Sequence, residues 1–510
     1  MKHLLAISLL LLFSISDIIG QDLRQGLILN DLADHPMQPM AKPGYLDTIV
    51  DPSFGTTIRR ISDAGPGGII VPMYSTVQAW NADESLMILY QSNPSQHRLL
   101  NGKTYEFIGL LDDIQPADLE QIFWDFEQPN ILYYLERNTY VFIAYDVLTR
   151  AKTTVVDLKT LGLTCTEYAM GNDVQMMSWD NDVFGFRCDD SGSYLYRIST
   201  AELTPLAVTT VRETAGMPGP SGQTAYHRSQ VFGSDGHLDF QLNEDKGEHS
   251  CLGKLSDGTD AHFTIAFEEG PEGGCQGDVI AHDLTTGECF PITGASLGYA
   301  YPKSGTHISA LAHKNEEAGW LCASMIGFEK DGQRLLDQEL IIARAVKGAP
   351  EVYRIAHHRS DEDEFDYWGE PHAVISPTGT RVLFGSDWSG SEDGQSVDSY
   401  VVELPAFSQR DTTTSSIGEV FPAQSRDTAR TNAQVHQLSP KLIDGQLFVS
   451  LPSHLSSASL RVIDAVGRLA FFGQIQTGHG VDVSALSAGT YVVQVEEGSY
   501  KGIGRFVVGR

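Results

Sequence analysis

The feature that most constrains this chain is a hairpin that recurs six times. Each copy reads as strand, acidic or glycine-bearing turn, strand. The copies are "YSTVQAWNADESLMILY" from Tyr74, "LEQIFWDFEQPNILYYL" from Leu119 and "VQMMSWDNDVFGFRC" from Val174, then "YHRSQVFGSDGHLDF" from Tyr226, "THISALAHKNEEAGWLCAS" from Thr306 and "PHAVISPTGTRVLFGS" from Pro371. In the last copy, Pro377 early and Gly379 late suit a tight turn. Trp80, Trp124 and Trp179 each fall just before the turn. Further strands follow several copies, as in "YLYRIS" then "LTPLAV", or "DVIAHDLTTGECFPIT". Helical periodicity is almost absent. Four short antiparallel strands in a repeat of roughly 45 to 60 residues is the pattern of a propeller blade. The chain therefore reads as all-β, a β-propeller. Seven blades is the first choice, with six or eight open. Six are legible, and a seventh has room in the glycine- and cysteine-rich stretch from Glu244 to Gly277.

The 510 residues leave room for more than this one domain. The chain begins "MKHLLAISLLLLFSISDIIGQD", with an apolar run from Leu4 to Phe13. That run is shorter than the roughly 20 residues a membrane helix needs. It reads as a secretory signal peptide over residues 1–20, followed by an N-terminal extension over 21–54. No cysteine follows the run, which argues against a lipid anchor, and no later segment is apolar enough to span a bilayer. Asp plus Glu number 66 against 35 Lys plus Arg, a formal charge of −31. Nucleic acid is disfavoured as a partner, because phosphate contact needs basic surface. Any polyanion would require a local cationic pocket or a bound metal. All six cysteines lie between Cys165 and Cys322, none in a CxxC pair. In an exported protein they read as structural disulfides, with neighbours such as Cys165 and Cys188 the natural partners.

Two resemblances sharpen this reading. "ISPTGTRVLFGSDW" and "WNADESLMILY" resemble the hairpin of TolB-like propellers, which also occurs in oligogalacturonate lyases and related propeller polysaccharide lyases. "GTTIRRISD" (Gly55 to Asp63) resembles the outer strand that ends such a blade, and so would close the ring beside "SYVVELP" (Ser399 to Pro405). The propeller then spans 55–406. From 407 to 437 the composition turns to Ser, Thr, Gln and Arg, as in a linker. The remainder, 438–510, carries "IDAVGR", "VDVSALSAGTYVVQV" and "GRFVVGR". It resembles the C-terminal sorting domain of type IX secretion cargo in Bacteroidetes. That likeness implies a small β-sandwich, a partnership with the type IX secretion machinery, and passage through the periplasm to the surface or medium.

Aligning the hairpins on their turns places His227, His307 and His372 at nearly one register, each where an inner strand begins. Gln121 and Gln175 hold comparable positions, and Gln78 lies slightly deeper. A ring of imidazoles and amides around one axis suits a divalent cation or a hydrogen-bonded sugar. The alternative is that these histidines only satisfy strand ends in a wet tunnel. Oligogalacturonate lyases hold a manganese-like ion with histidines and a glutamine in this region. Here His372 and His307 match that pattern, and Glu370 stands where it departs, in "WGEPHAVIS". The acidic run "SDEDEFDYWGE" (Ser360 to Glu370) suits calcium or simple solvation.

Uronate β-elimination needs a neutralised carboxylate, a base for the C5 proton and an acid for the leaving oxygen. The catalytic candidates are His227 and His307, with Tyr299 and Tyr301 as proton donors. Arg228, Trp368, Gln121 and Gln175 are the candidates for holding substrate, although strand alternation would send His227 and Arg228 to opposite faces. Acidic polysaccharide is the partner this lyase reading requires. The rival readings are a non-catalytic binding propeller and a glycoside hydrolase with two opposed carboxylates.

Overall fold

The structure is a computed structural model. It describes residues 22–508 except 119, 171–176, 190–191, 209–214, 243–248, 267–274, 300–304, 328, 361–365, 389–395, 411–434, 439, 444–445, 450, 453–454, 456, 465–468, 477–479, 485, 487–488 and 498–499. The leader expected over residues 1–20 lies outside that set. The chain divides into two compact units, Met1–Ser415 and Ser416–Arg510. None of the described helices is long and apolar enough to cross a membrane.

The described residues of the first unit form seven antiparallel sheets, six of four strands and one of five. Six follow chain order from one edge to the other, so each repeat folds on local pairings. The first strands of adjacent sheets approach one another, as Gly305–Ser309 does with Ser250–Lys254 on one side and Val374–Ile375 on the other. These are the inner strands of a β-propeller. The five-stranded sheet runs Thr48–Val50, Thr57–Arg60, Asp398–Glu403, Arg381–Ser386, Val374–Ile375. In it Thr57 lies opposite Glu403 and Ile58 opposite Val402. This is the ring closure that "GTTIRRISD" implied. It is reinforced by Arg59 Nε donating to Glu403 at 2.9 Å and by Arg60 Nη2 donating to Asp398 at 2.9 Å.

The turn after Ile375 forms as its residues dictate. Ser376 O accepts the Gly379 N–H at 2.8 Å, and Gly379 has φ 78°. The stretch from Glu244 contributes strands Ser250–Lys254 and Asp260–Ile265, and Val279–Asp283 and Cys289–Pro291 complete their sheet. One register differs from expectation. His227 ends the second strand of its sheet, Thr224–His227, rather than beginning the inner strand, which is Met217–Pro218. Arg228 and Ser229, both at positive φ (47° and 59°), make a two-residue turn that pairs His227 with Gln230. Such turns normally carry Gly, Asn or Asp, so "YHRSQ" reads as continuous strand. The "GSDG" turn joins the third and fourth strands instead.

The segment before the propeller is strapped to its surface. Arg24 Nε donates to Glu351 at 2.7 Å, Asn30 N–H donates to Val352 O at 2.8 Å, and Trp388 Nε1 donates to Met40 O at 3.0 Å. The strap covers the outer strand Glu351–His357, whose open edge would otherwise invite pairing with another chain. In the second unit, a five-stranded and a three-stranded sheet enclose a core that includes Leu447, Leu460, Val462, Ile475 and Val493.

Cys165–Cys188 form the expected disulfide, and Cys275–Cys289 form a second. Cys251 and Cys322 lie outside any disulfide and are buried, and burial pushes the Cys251 thiol up to about 12. A thiol reagent should therefore find no reactive cysteine in the native protein, two after unfolding and six after reduction. Reaction of the native protein at the same rate as the unfolded one would contradict this packing.

Candidate metal centre

His307 projects from the inner strand Gly305–Ser309. Glu370 and His372 flank Pro371 in the segment between the short 3-10 helix Asp366–Gly369 and the inner strand Val374–Ile375 of the next sheet. Pro371 blocks further helix, its carbonyl accepts the Gly385 N–H at 2.8 Å, and His372 takes the left-handed backbone (φ 43°). That bend turns two nearby polar side chains toward one neighbour. Glu370 Oε2 sits 3.3 Å from His307 Nδ1 and 3.9 Å from His372 Nε2. The imidazole centroids are 4.1 Å apart, inclined at 48°. One ligand atom from each of the three residues lies within 4.8 Å of the others.

The surroundings are aromatic. Tyr74 packs edge-on to His307 at 5.3 Å and against His372 at 5.4 Å, while Tyr367 meets His372 at 4.7 Å. His249 lies 4.9 Å from His307 between centroids. His307 and His372 are 1 % and 3 % exposed. Burial, the dominant cause, pushes His307 well below the usual imidazole range and His372 down to about 3. Both rings are therefore neutral and keep a lone pair, the state that binds metal. His372 Nε2 is buried with no hydrogen-bond partner among the described residues. Two neutral imidazoles and one carboxylate fit a divalent transition-metal ion, leaving coordination positions open.

The structure thus brings His307, His372 and Glu370 together. His227 is buried in another sheet, and Arg228 occupies the turn beside it, so the strand alternation expected for that pair does not apply. Tyr299 is in the core, and its charged neighbours are Arg354, Asp31 and Glu339. Gln121 is buried ahead of strand Phe123–Trp124, its N–H donating to Asp118 O at 3.1 Å. Gln78 donates through Nε2 to Ile375 O at 2.9 Å and Leu311 O at 3.2 Å, tying inner strands together. Trp368 has one face stacked on Tyr90, at 5.6 Å and 26°. Gln175 and Tyr301 lie outside the described residues, as do residues 361–365 of the acidic run before Glu370.

Sequence reasoning missed Tyr74 and His249. Tyr74 opens the first hairpin, so the register that revealed His307 was there to be read. His249 falls inside the stretch whose strands were not legible.

A second buried imidazole pair also escaped notice. His262 and His282 lie opposite each other on adjacent strands, and Tyr226 stacks on His262 at 3.9 Å. Burial pushes His262 well down and His282 from 6.5 to about 4. Between those values the unfolded chain binds more protons than the folded one. Stability is then full above pH 6.5 and is lost as the pH falls toward 4, by roughly 3 kcal/mol at most from His282 alone. Melting curves across this window should show the loss, and His282→Phe should make it smaller, with the other buried imidazoles supplying the remainder. Parallel loss in the two proteins would refute the assignment.

Residues 443–509 match the family model of the secretion system C-terminal sorting domain. This indicates export to the cell surface or medium and an interaction with the type IX secretion machinery of Bacteroidetes. No curated protein matches the chain in sequence. Among solved structures, the chain is similar to an oligogalacturonate lyase from Vibrio parahaemolyticus, at 14% identity and a TM-score of 0.50, covering 70% of this chain and 96% of that one. An oligogalacturonate lyase in complex with manganese is 14% identical, with a TM-score of 0.48, covering 74% of this chain and 98% of that one. At such identity the first likeness is one of fold: both are propellers.

Proposed function

We propose that this chain is an exported polysaccharide lyase that cleaves uronate-containing polysaccharide by β-elimination, with a divalent ion held by His307, Glu370 and His372. The observation that carries the reading is the convergence of these three donors, with both imidazoles neutral and buried. One carboxylate beside two imidazoles suits a manganese-type ion better than calcium, which takes six to eight oxygen ligands. When bound, the ion supplies the positive charge that neutralises a uronate carboxylate and acidifies its C5 proton. In a chain of charge −31, no diffuse surface field offers that service.

The protein's own groups do the rest. His249, adjacent to His307 and not among the three donors, is assigned to take the C5 proton. The Tyr367 hydroxyl, on a ring against His372 that remains 36 % exposed, is assigned to protonate the departing O4. Tyr74 walls the centre and excludes water. In this reading a leader over residues 1–20 directs passage through the periplasm, and residues 407–437 link the propeller to the sorting region at 438–510.

Purified protein incubated with a panel of polyuronates should generate the ultraviolet absorbance of an unsaturated product. Chelator should abolish it, and manganese should restore it where calcium does not. His372→Ala should lower the rate at least about 100-fold. Absence of product on every polyuronate with metal present would leave a binding propeller as the better account. Activity indifferent to chelator and to His372→Ala would remove the metal from it.

A further inference from the structure

A cleft of about 420 Å³ opens between the first two complete sheets, lined by Gln96, His97, Ile114, Gln115, Pro116 and Arg137 among others. It offers an apolar floor with amides and one guanidinium at its rim, the mixture that suits a sugar residue. The charges around it are unevenly spent. Asp112 also lines the cleft, but Arg150 pairs with it and with Asp113, the latter at 2.5 Å. Arg137 is exposed, and no ion pair occupies its guanidinium among the described residues; its backbone N–H donates to Gln115 O at 2.8 Å. The formal charges of Arg137, Arg150, Asp112 and Asp113 cancel, so on a strongly acidic protein the cleft is locally neutral, with the Arg137 guanidinium still open to an anion.

The cleft is joined to the metal centre by a ladder of rings. His372 meets Tyr367 at 4.7 Å, Tyr367 meets Trp368 at 5.3 Å, Trp368 stacks on Tyr90 at 5.6 Å, and Tyr90 meets His97 at 5.9 Å. His97 is itself part of the cleft wall. Both ends face one side of the propeller. Ile70, at the start of one inner strand, lies opposite Gln91, as Gly305 at the start of another lies opposite Met325.

We propose that this cleft is a remote subsite for an anionic sugar residue, with Arg137 taking its carboxylate, on a chain whose other end reaches the centre at His307, Glu370 and His372. The inference rests on the lyase reading for its substrate class. Tyr90 and His97 are buried, so the aromatic surface open to a glycan between the two polar stations is that of Tyr367 and the half-buried Trp368, and a fork-shaped guanidinium suits a carboxylate.

Calorimetric titration of the full chain in chelator, with a galacturonate trimer and a heptamer, tests the subsite without any turnover. The heptamer, long enough to span the ladder, should bind about tenfold more tightly than the trimer. Arg137→Ala should erase that advantage and Arg137→Lys should keep part of it; Arg137 is exposed, and matching melting curves would confirm that the variants fold. A heptamer that binds no better than the trimer, or an advantage that survives Arg137→Ala, overturns the subsite. The same samples with manganese, followed by ultraviolet absorbance, separate the two readings. Product without the length advantage sinks the subsite and leaves the lyase, whereas the advantage without product leaves a binding cleft and sinks the lyase.

Discussion

The pairing of Thr57–Arg60 with Asp398–Glu403 is the contact on which the propeller depends. Every other propeller sheet is made from consecutive strands, so it needs only local hairpins. The closing sheet joins residues more than 300 apart in sequence, and without it the ring would have two raw edges. Its charges are placed accordingly. Asp398 is fully buried and is met by Arg60, Lys42 and Ser62, so the start of the chain is clamped to its last propeller strand. Breaking one partner of such a cluster strands a charge in low dielectric.

The candidate centre stands beside that closure. Glu370 and His372 lead into the closing sheet, while His307 belongs to the sheet before it. Direct packing of these two adjacent sheets holds their inner strands at a spacing where Glu370 reaches both imidazoles. Dense packing then removes water, and the loss of solvation keeps His307 and His372 uncharged. A chain of charge −31 could repel an anionic polysaccharide. In the lyase reading the answer is local: three convergent donors for a cation, and an Arg137 whose carboxylate neighbours are engaged by Arg150.

Much of the fold was legible because propeller hairpins are local and carry their turn chemistry with them. Pro377 and Gly379 announce one turn, and the neighbouring cysteines 165 and 188 announce one disulfide. His307 and His372 were legible as a register, and Glu370 as a departure from a pattern. What failed had physical reasons. Arg228 and Ser229 adopt a conformation their side chains disfavour, so His227 was placed on the wrong strand. Tyr299 stands shortly before His307 in the sequence, yet its surroundings are core residues and the Arg354 pair. His262 and His282 meet only across two strands, a relation no single window of sequence contains.

The central claim is that His307, Glu370 and His372 bind one metal ion together. Anomalous diffraction at the manganese edge, from crystals of the full chain grown with manganese, tests it without reference to any substrate. The account predicts one strong peak in direct contact with all three side chains, lost in His372→Ala. A peak elsewhere on the propeller, or none at these residues at full metal loading, would contradict it.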